Sequence, residues 1–108
     1  MIRHCVMLRL RAGYNETDLA EIISGLRAVA VRLDGCTGFF AGPNRDFEGK
    51  SPGFPFGFTL DFDSASALAS YASDAAHVAL GRRLIDLCEG GAAGILVYDL
   101  DDTGATAA

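Results

Sequence analysis

The order strand, helix, strand, strand, broken helix, strand predicts an α+β fold: a ferredoxin-like β-α-β-β-α-β unit whose four strands form one antiparallel sheet, with the helices on one face. Three observations carry this prediction. Polarity alternates with period two in residues 1–11 and more strictly in 56–62, apolar residues recur at helical spacing in 19–33 and 77–87, and Gly or Pro clusters separate the runs. With 108 residues the chain has room for one compact unit and a short tail, which we assign to 1–100 and 101–108.

In the first strand Ile2, His4, Val6, Leu8 and Leu10 fall on one face and Arg3, Cys5, Met7, Arg9 and Arg11 on the other. Asn15, with Asp18 three positions on, caps a helix in which Leu19, Ile22, Ile23, Leu26, Ala30 and Leu33 recur, and Gly35 ends it. Thr37 to Ala41 is a short apolar strand that stops at Gly42-Pro43-Asn44. Asn44 to Pro55 is a mixed-charge loop rich in Gly and Pro, long enough to act as a lid or an interface arm. Phe56, Phe58, Leu60 and Phe62 alternate with Gly57, Thr59 and Asp61, the clearest strand in the chain. Ser64 caps a helix carrying Ala65, Leu68, Ala69 and Ala72. Asp74 caps a second run with His77, Leu80, Leu84 and Leu87 on one face, closed by Gly90 and Gly91. Gly94 to Asp99 is the last strand, and the acidic, small-residue remainder reads as a frayed tail.

The apolar side of the first and third strands belongs under the helices. The opposite side carries Cys5, Met7, Gly57 and Thr59, too little charge for a large wet surface, so a second copy's sheet is expected to cover it in a homodimer. A chain this short also gains from extra burial, since it hides only about two-thirds of its unfolded surface alone. The net charge of −5 disfavours nucleic acid or an anionic membrane as partner. Three scattered cysteines fit neither a disulfide framework nor a C-x-x-C site, and the arginines of residues 1–11 fit neither a signal peptide nor a membrane span; a cytoplasmic protein is expected.

Two short motifs are discounted. Gly49-Lys50-Ser51-Pro52-Gly53 matches a nucleophile elbow, but without the strand and helix that motif requires. As the end of a phosphate loop it fails because Asn44 stands where a glycine is needed and Pro52 breaks the following helix. Lys50, the only lysine, lies in the same loop, which argues against Schiff-base chemistry. His4 and His77 are the only imidazoles, and with no H-E-x-x-H or Cys-rich partner neither a metal site nor a cofactor is expected.

Acid–base chemistry fits the histidines better. With Asp74 as cap, His77 sits at the third residue of its helix, near the positive dipole end and on the apolar face; both effects favour neutral imidazole, the form a general base needs. Tyr71, just before the helix break, is within reach of the same space as a hydrogen-bond donor, and His4 lines it from the sheet. The competing reading of His77 and Tyr71 is that of hydrogen-bonded core residues. Phe56, Phe58 and Phe62 are read as packing, and Arg82 and Arg83 as solvated charges near a helix C-terminus.

Over Ile2 to Asp99 the chain resembles the stress-responsive α/β-barrel family, the Dabb domains. The carriers are Ile2-Arg3-His4 before an apolar strand, Gly42-Pro43-Asn44, Phe62-Asp63-Ser64, and Tyr71 followed by Ala75-Ala76-His77-Val78. The resemblance implies a ferredoxin-like subunit whose sheet packs on that of a second subunit, a dimeric α+β barrel. Members range from stress-associated proteins to polyketide cyclases of the olivetolic acid type, in which a histidine is the base and a tyrosine positions the substrate. His77 and Tyr71 match those positions, His4 matches a pocket residue, and Ile22, Ile23, Leu26, Phe58, Leu60, Leu68 and Leu80 match the apolar wall. Ala75 departs from the family's usual proline. Some members bind magnesium through backbone carbonyls, at positions matching Ala30, Leu33 and Cys36; no metal is assigned to them here. The resemblance implies cofactor-free proton abstraction on a small, hydrophobic carbonyl compound, a ligand-binding dimer without chemistry, or a cofactor-free monooxygenase of the antibiotic-biosynthesis type.

Overall fold

Alternating polarity and helical periodicity resolve into one four-stranded antiparallel sheet under a layer of helices. The computed structural model describes residues 1–102. In chain order the elements are β1 (Ile2–Leu8), α1 (Glu16–Arg32), β2 (Cys36–Pro43), β3 (Phe56–Phe62), α2 (Ala65–Ser73), α3 (Ala75–Leu87), a 3-10 turn (Gly91–Gly94) and β4 (Ile95–Asp101). The strands lie in the order β2-β3-β1-β4.

The caps act as the sequence predicts. Asn15 accepts from the Asp18 amide, Ser64 from the Ala67 amide, and Asp74 from the amides of Ala76 and His77. Gly35 follows α1 with φ +84°, and a Cβ there would lie 2.6 Å from that of Ala67, so only glycine lets the turn close. In α1, a Cβ on Gly25 would meet Leu80 Cδ2 at 2.9 Å; that position lets α3 approach closely.

Several boundaries differ from the sequence reading. β1 ends at Leu8 because Arg9 leaves the ladder for the Gly94 carbonyl, and Leu10 forms an isolated bridge with Cys88. β2 runs to Pro43, past the expected Ala41, because Gly42 and Pro43 pair with Gly57 and Phe56. β4 begins at Ile95 and continues through Asp101, which pairs with Ile2, so Asp101 belongs to the sheet rather than to the tail; 103–108 lie outside the described residues. In α2 the buried residues are Ala67 and Tyr71, with Leu68 partly covered, whereas Ala65, Ala69 and Ala72 are exposed. Tyr71, 1% exposed, sets the helix rotation because it has the most apolar area to bury.

The core fills the space between sheet and helices with Val6, Leu8, Phe58, Leu60 and Phe62 from below and Leu19, Ile22, Leu26, Val29, Tyr71, Leu84 and Leu87 from above. Each such side chain stabilises the fold by about 1.5–3 kcal/mol relative to exposure. The 44–55 loop is laced to itself. Asp46 Oδ1 accepts from the Lys50 amide at 2.9 Å, the Ser51 amide at 2.9 Å and the Ser51 hydroxyl at 2.8 Å, while Asn44 Nδ2 donates to Ser51 Oγ and the Phe54 carbonyl. These bonds hold the Asp46 carboxyl below its ordinary pKa, and they use Ser51 as a tie.

Candidate functional site

Register decides what faces the helices. His4 stands between Leu60 and Asp99, Val6 between Phe58 and Val97, and Leu8 between Phe56 and Ile95, so these side chains share the helix side. The helices cover the central strands fully but the edge strand only in part: Val6 is 4% exposed and its neighbour Val97 47%. The uncovered strip of β4 and the flank of α3 form a cleft of about 390 Å³. Its floor is His4, Val6, Phe58, Ile95 and Val97; Tyr71 closes its inner end; His77, Val78, Gly81, Arg82, Leu84 and Ile85 make the α3 wall.

The three polar residues predicted from sequence meet here. The rings of Tyr71 and His77 are 4.1 Å apart, and those of His4 and Tyr71 5.9 Å. Asp74 produces this proximity: it ends α2, starts α3 by accepting the Ala76 and His77 amides, and holds the Arg32 guanidinium of α1 in a two-pronged bridge at 3.0 and 3.1 Å. The Arg32 fork, with the His77 and Ala76 amides, pulls the Asp74 carboxyl down to about 2.

His77 Nδ1 lies 3.3 Å from the Ala72 carbonyl oxygen. A carbonyl only accepts, so the neutral ring carries its hydrogen on Nδ1 and keeps its lone pair on Nε2. Burial pushes the imidazole below its ordinary value of 6.5; His4 adds to this, while the Ala72 carbonyl and Asp74 oppose it. Tyr71 has its phenol pushed far up by burial, so it stays a neutral donor. Among the described residues no buried side-chain nitrogen or oxygen lacks a partner, no hydrogen bond joins the Tyr71 hydroxyl to another residue, and the charged neighbours that add to its rise are Cys36 and Asp74. The cleft is thus lined by an imidazole that burial keeps neutral, a neutral phenol and apolar walls.

Of the apolar wall expected from sequence, the structure brings only Phe58 to this cleft. Ile22, Leu26 and Leu60 are at most 1% exposed within the core, Leu68 and Leu80 pack partly buried against it, and Ile23 lines a separate hollow with Tyr14, Leu19 and Phe56. α1 thus sends Ile22 and Leu26 into the central core and borders, with Ile23, a hollow of about 570 Å³, whereas the His77 cleft lies beside β4. One polar residue, Asp99, escaped the sequence reading, while Arg82, read as a solvated charge, is exposed. Asp99 Oδ1 lies 2.6 Å from His4 Nδ1, a pairing implicit in the antiparallel register of the first and last strands. Arg82 lines the cleft, whereas its neighbour Arg83 turns away to Glu21 at 3.0 Å.

On the outer side of the sheet Cys5 and Met7 of β1 and Gly57 and Thr59 of β3 are flanked by Phe40 of β2 and by Leu96, Tyr98 and Leu100 of β4. Phe40 is 73% and Leu100 58% exposed, a broad apolar surface whose charged members Arg3 and Asp61 neutralise each other through two hydrogen bonds. Among the described residues no helix is long and apolar enough to cross a membrane.

A family model described as Stress Responsive A/B Barrel Domain matches residues 2–102. Among solved structures, a dimeric ferredoxin-like protein from Jannaschia sp. CCS1 is 40% identical with a TM-score of 0.88, the alignment covering 93% of this chain and 97% of that one. A protein from Arabidopsis thaliana is 21% identical with a TM-score of 0.81 over 98% and 99% of the two chains. A hydroxynitrile lyase from Passiflora edulis is 16% identical with a TM-score of 0.77 over 94% of each. A comparison with curated proteins finds no match.

Proposed function

The chain belongs to the stress responsive A/B barrel family, and from that premise we propose a homodimer, joined through the outer sheet faces, that binds a small hydrophobic carbonyl compound of the polyketide type in the His77 cleft and abstracts a proton next to its carbonyl. The observation that carries this reading is the 4.1 Å approach of Tyr71 and His77 at the closed end of an apolar cleft. In the reaction His77 Nε2 takes the proton from the carbon beside the carbonyl. The Tyr71 hydroxyl donates to the oxygen on which the enolate charge gathers, and the apolar wall strengthens that hydrogen bond. His4, held at Nδ1 by Asp99, lines the same cleft. No residue in this scheme needs a cofactor. The dimer is supported by the uncovered apolar outer face and by the relative that is described as dimeric. A cytoplasmic setting is supported by three free thiols, Cys5, Cys36 and Cys88.

Hydrogen–deuterium exchange at the methyl group of acetophenone, followed by proton NMR in D2O at neutral pH, tests the chemistry. The protein is expected to accelerate exchange and His77→Ala to lose about 10²–10⁴ of that acceleration. Exchange at the buffer rate with the unaltered protein rejects the reaction and leaves a ligand-binding dimer.

A further inference from the structure

We propose that Arg82 makes the cleft selective for ligands that carry a carboxylate at the end remote from the reacting carbonyl. This inference rests on the cleft being the binding site and adds the class of compound it takes. Three observations support it. Arg82 lines the cleft on the same α3 wall as His77. Asp74 is engaged by Arg32, Asp99 by His4 and Glu21 by Arg83, and Asp86, one turn further along α3, makes no ion pair with Arg82. Among the described residues the arginines in ion pairs are Arg3, Arg32 and Arg83, so Arg82, an exposed residue on the cleft wall, is available to an anion there.

A neutral ligand would leave that cation as it is, while a carboxylate would gain a charge-assisted, two-pronged contact with the planar fork. Val78, Ile85 and Val97 offer apolar contact to the body of such a ligand. Five residues separate His77 from Arg82, a rise of about 7.5 Å along the helix, which fits a carbonyl and a carboxylate at opposite ends of one ring-sized body.

The test compares 4-acetylphenylacetate with its methyl ester, which differ at the remote end by the charge and one methyl group. Each is titrated into the full-length protein, and into Arg82→Gln and Arg83→Gln, while the His77 imidazole resonance is followed by NMR. The acid is expected to bind about tenfold more tightly than the ester, Arg82→Gln to abolish the preference, and Arg83→Gln to keep it. Equal affinity for acid and ester, with His77 responding to both, overturns the role of Arg82 and leaves the binding site intact. Equal loss of preference in both variants overturns it too, because the effect would then be one of net charge. If His77 responds to neither compound, the cleft reading fails and the inference falls with it.

Discussion

Replacing Tyr71 by Phe and by Ala separates its two contributions, because the structure gives its ring and its hydroxyl different surroundings. The ring is packed between Phe62 at 5.4 Å, His4 at 5.9 Å and His77 at 4.1 Å, and the residue is 1% exposed. Truncation to Ala therefore opens a cavity beneath α2 and α3, at a cost of about 3–5 kcal/mol. For a domain of this size that lowers Tm by about 4–8 °C per kcal/mol. Among the described residues the hydroxyl has no hydrogen-bond partner, so Tyr71→Phe keeps the packing and is expected to change stability by about 1 kcal/mol or less. If that hydroxyl stabilises an enolate, Tyr71→Phe still loses about 10²–10³ of the acetophenone exchange rate. The assay is urea denaturation at one fixed protein concentration, since dimerisation contributes to apparent stability, paired with the exchange measurement. The reasoning is refuted if Tyr71→Phe is as unstable as Tyr71→Ala, which would make the hydroxyl structural, or if it exchanges acetophenone at the unaltered rate.

The remaining predictions concern charge and assembly. His77 is expected to titrate below its ordinary value of 6.5 because burial disfavours the imidazolium, so NMR should give a midpoint below that of a free histidine. The folded state then binds fewer protons than the unfolded state in the window between that midpoint and 6.5, and stability from this group is lost as pH falls through it; a midpoint above 6.5 contradicts the burial argument. Asp74, lowered from 3.8 to about 2, contributes stability that is present above about 4 and lost as pH falls towards 2; an acid denaturation curve of Asp74→Ala should lack that component, and an unchanged curve would dismiss the Arg32 and helix-cap contacts as its source. Thr59→Arg puts a charge at the centre of the outer sheet face and is expected to convert a dimer into a folded monomer in sedimentation velocity; a dimer that survives it must use another surface.

The sequence by itself determined the elements, the caps and the sidedness of the sheet, because these depend on spacing within a few residues. Period two in 56–62, helical recurrence in 19–33, and Asn15, Ser64 and Asp74 ahead of apolar runs leave little choice of local conformation. It also brought His77, Tyr71 and His4 forward, since the cap at Asp74 fixes where α3 begins and hence which way His77 looks. Tertiary structure alone decided where the His77 cleft lies. Three helices above four strands leave the edge strand β4 half-covered, and that shortfall is a matter of layer areas that no local pattern encodes. For the same reason Ile22, Leu26 and Leu60 went to the core, Asp99 came to His4 from 95 residues away, and adjacent Arg82 and Arg83 separated onto different surfaces. Short-range sterics and hydrogen bonding write the elements into the chain, but contacts between distant residues exist only once the layers have packed.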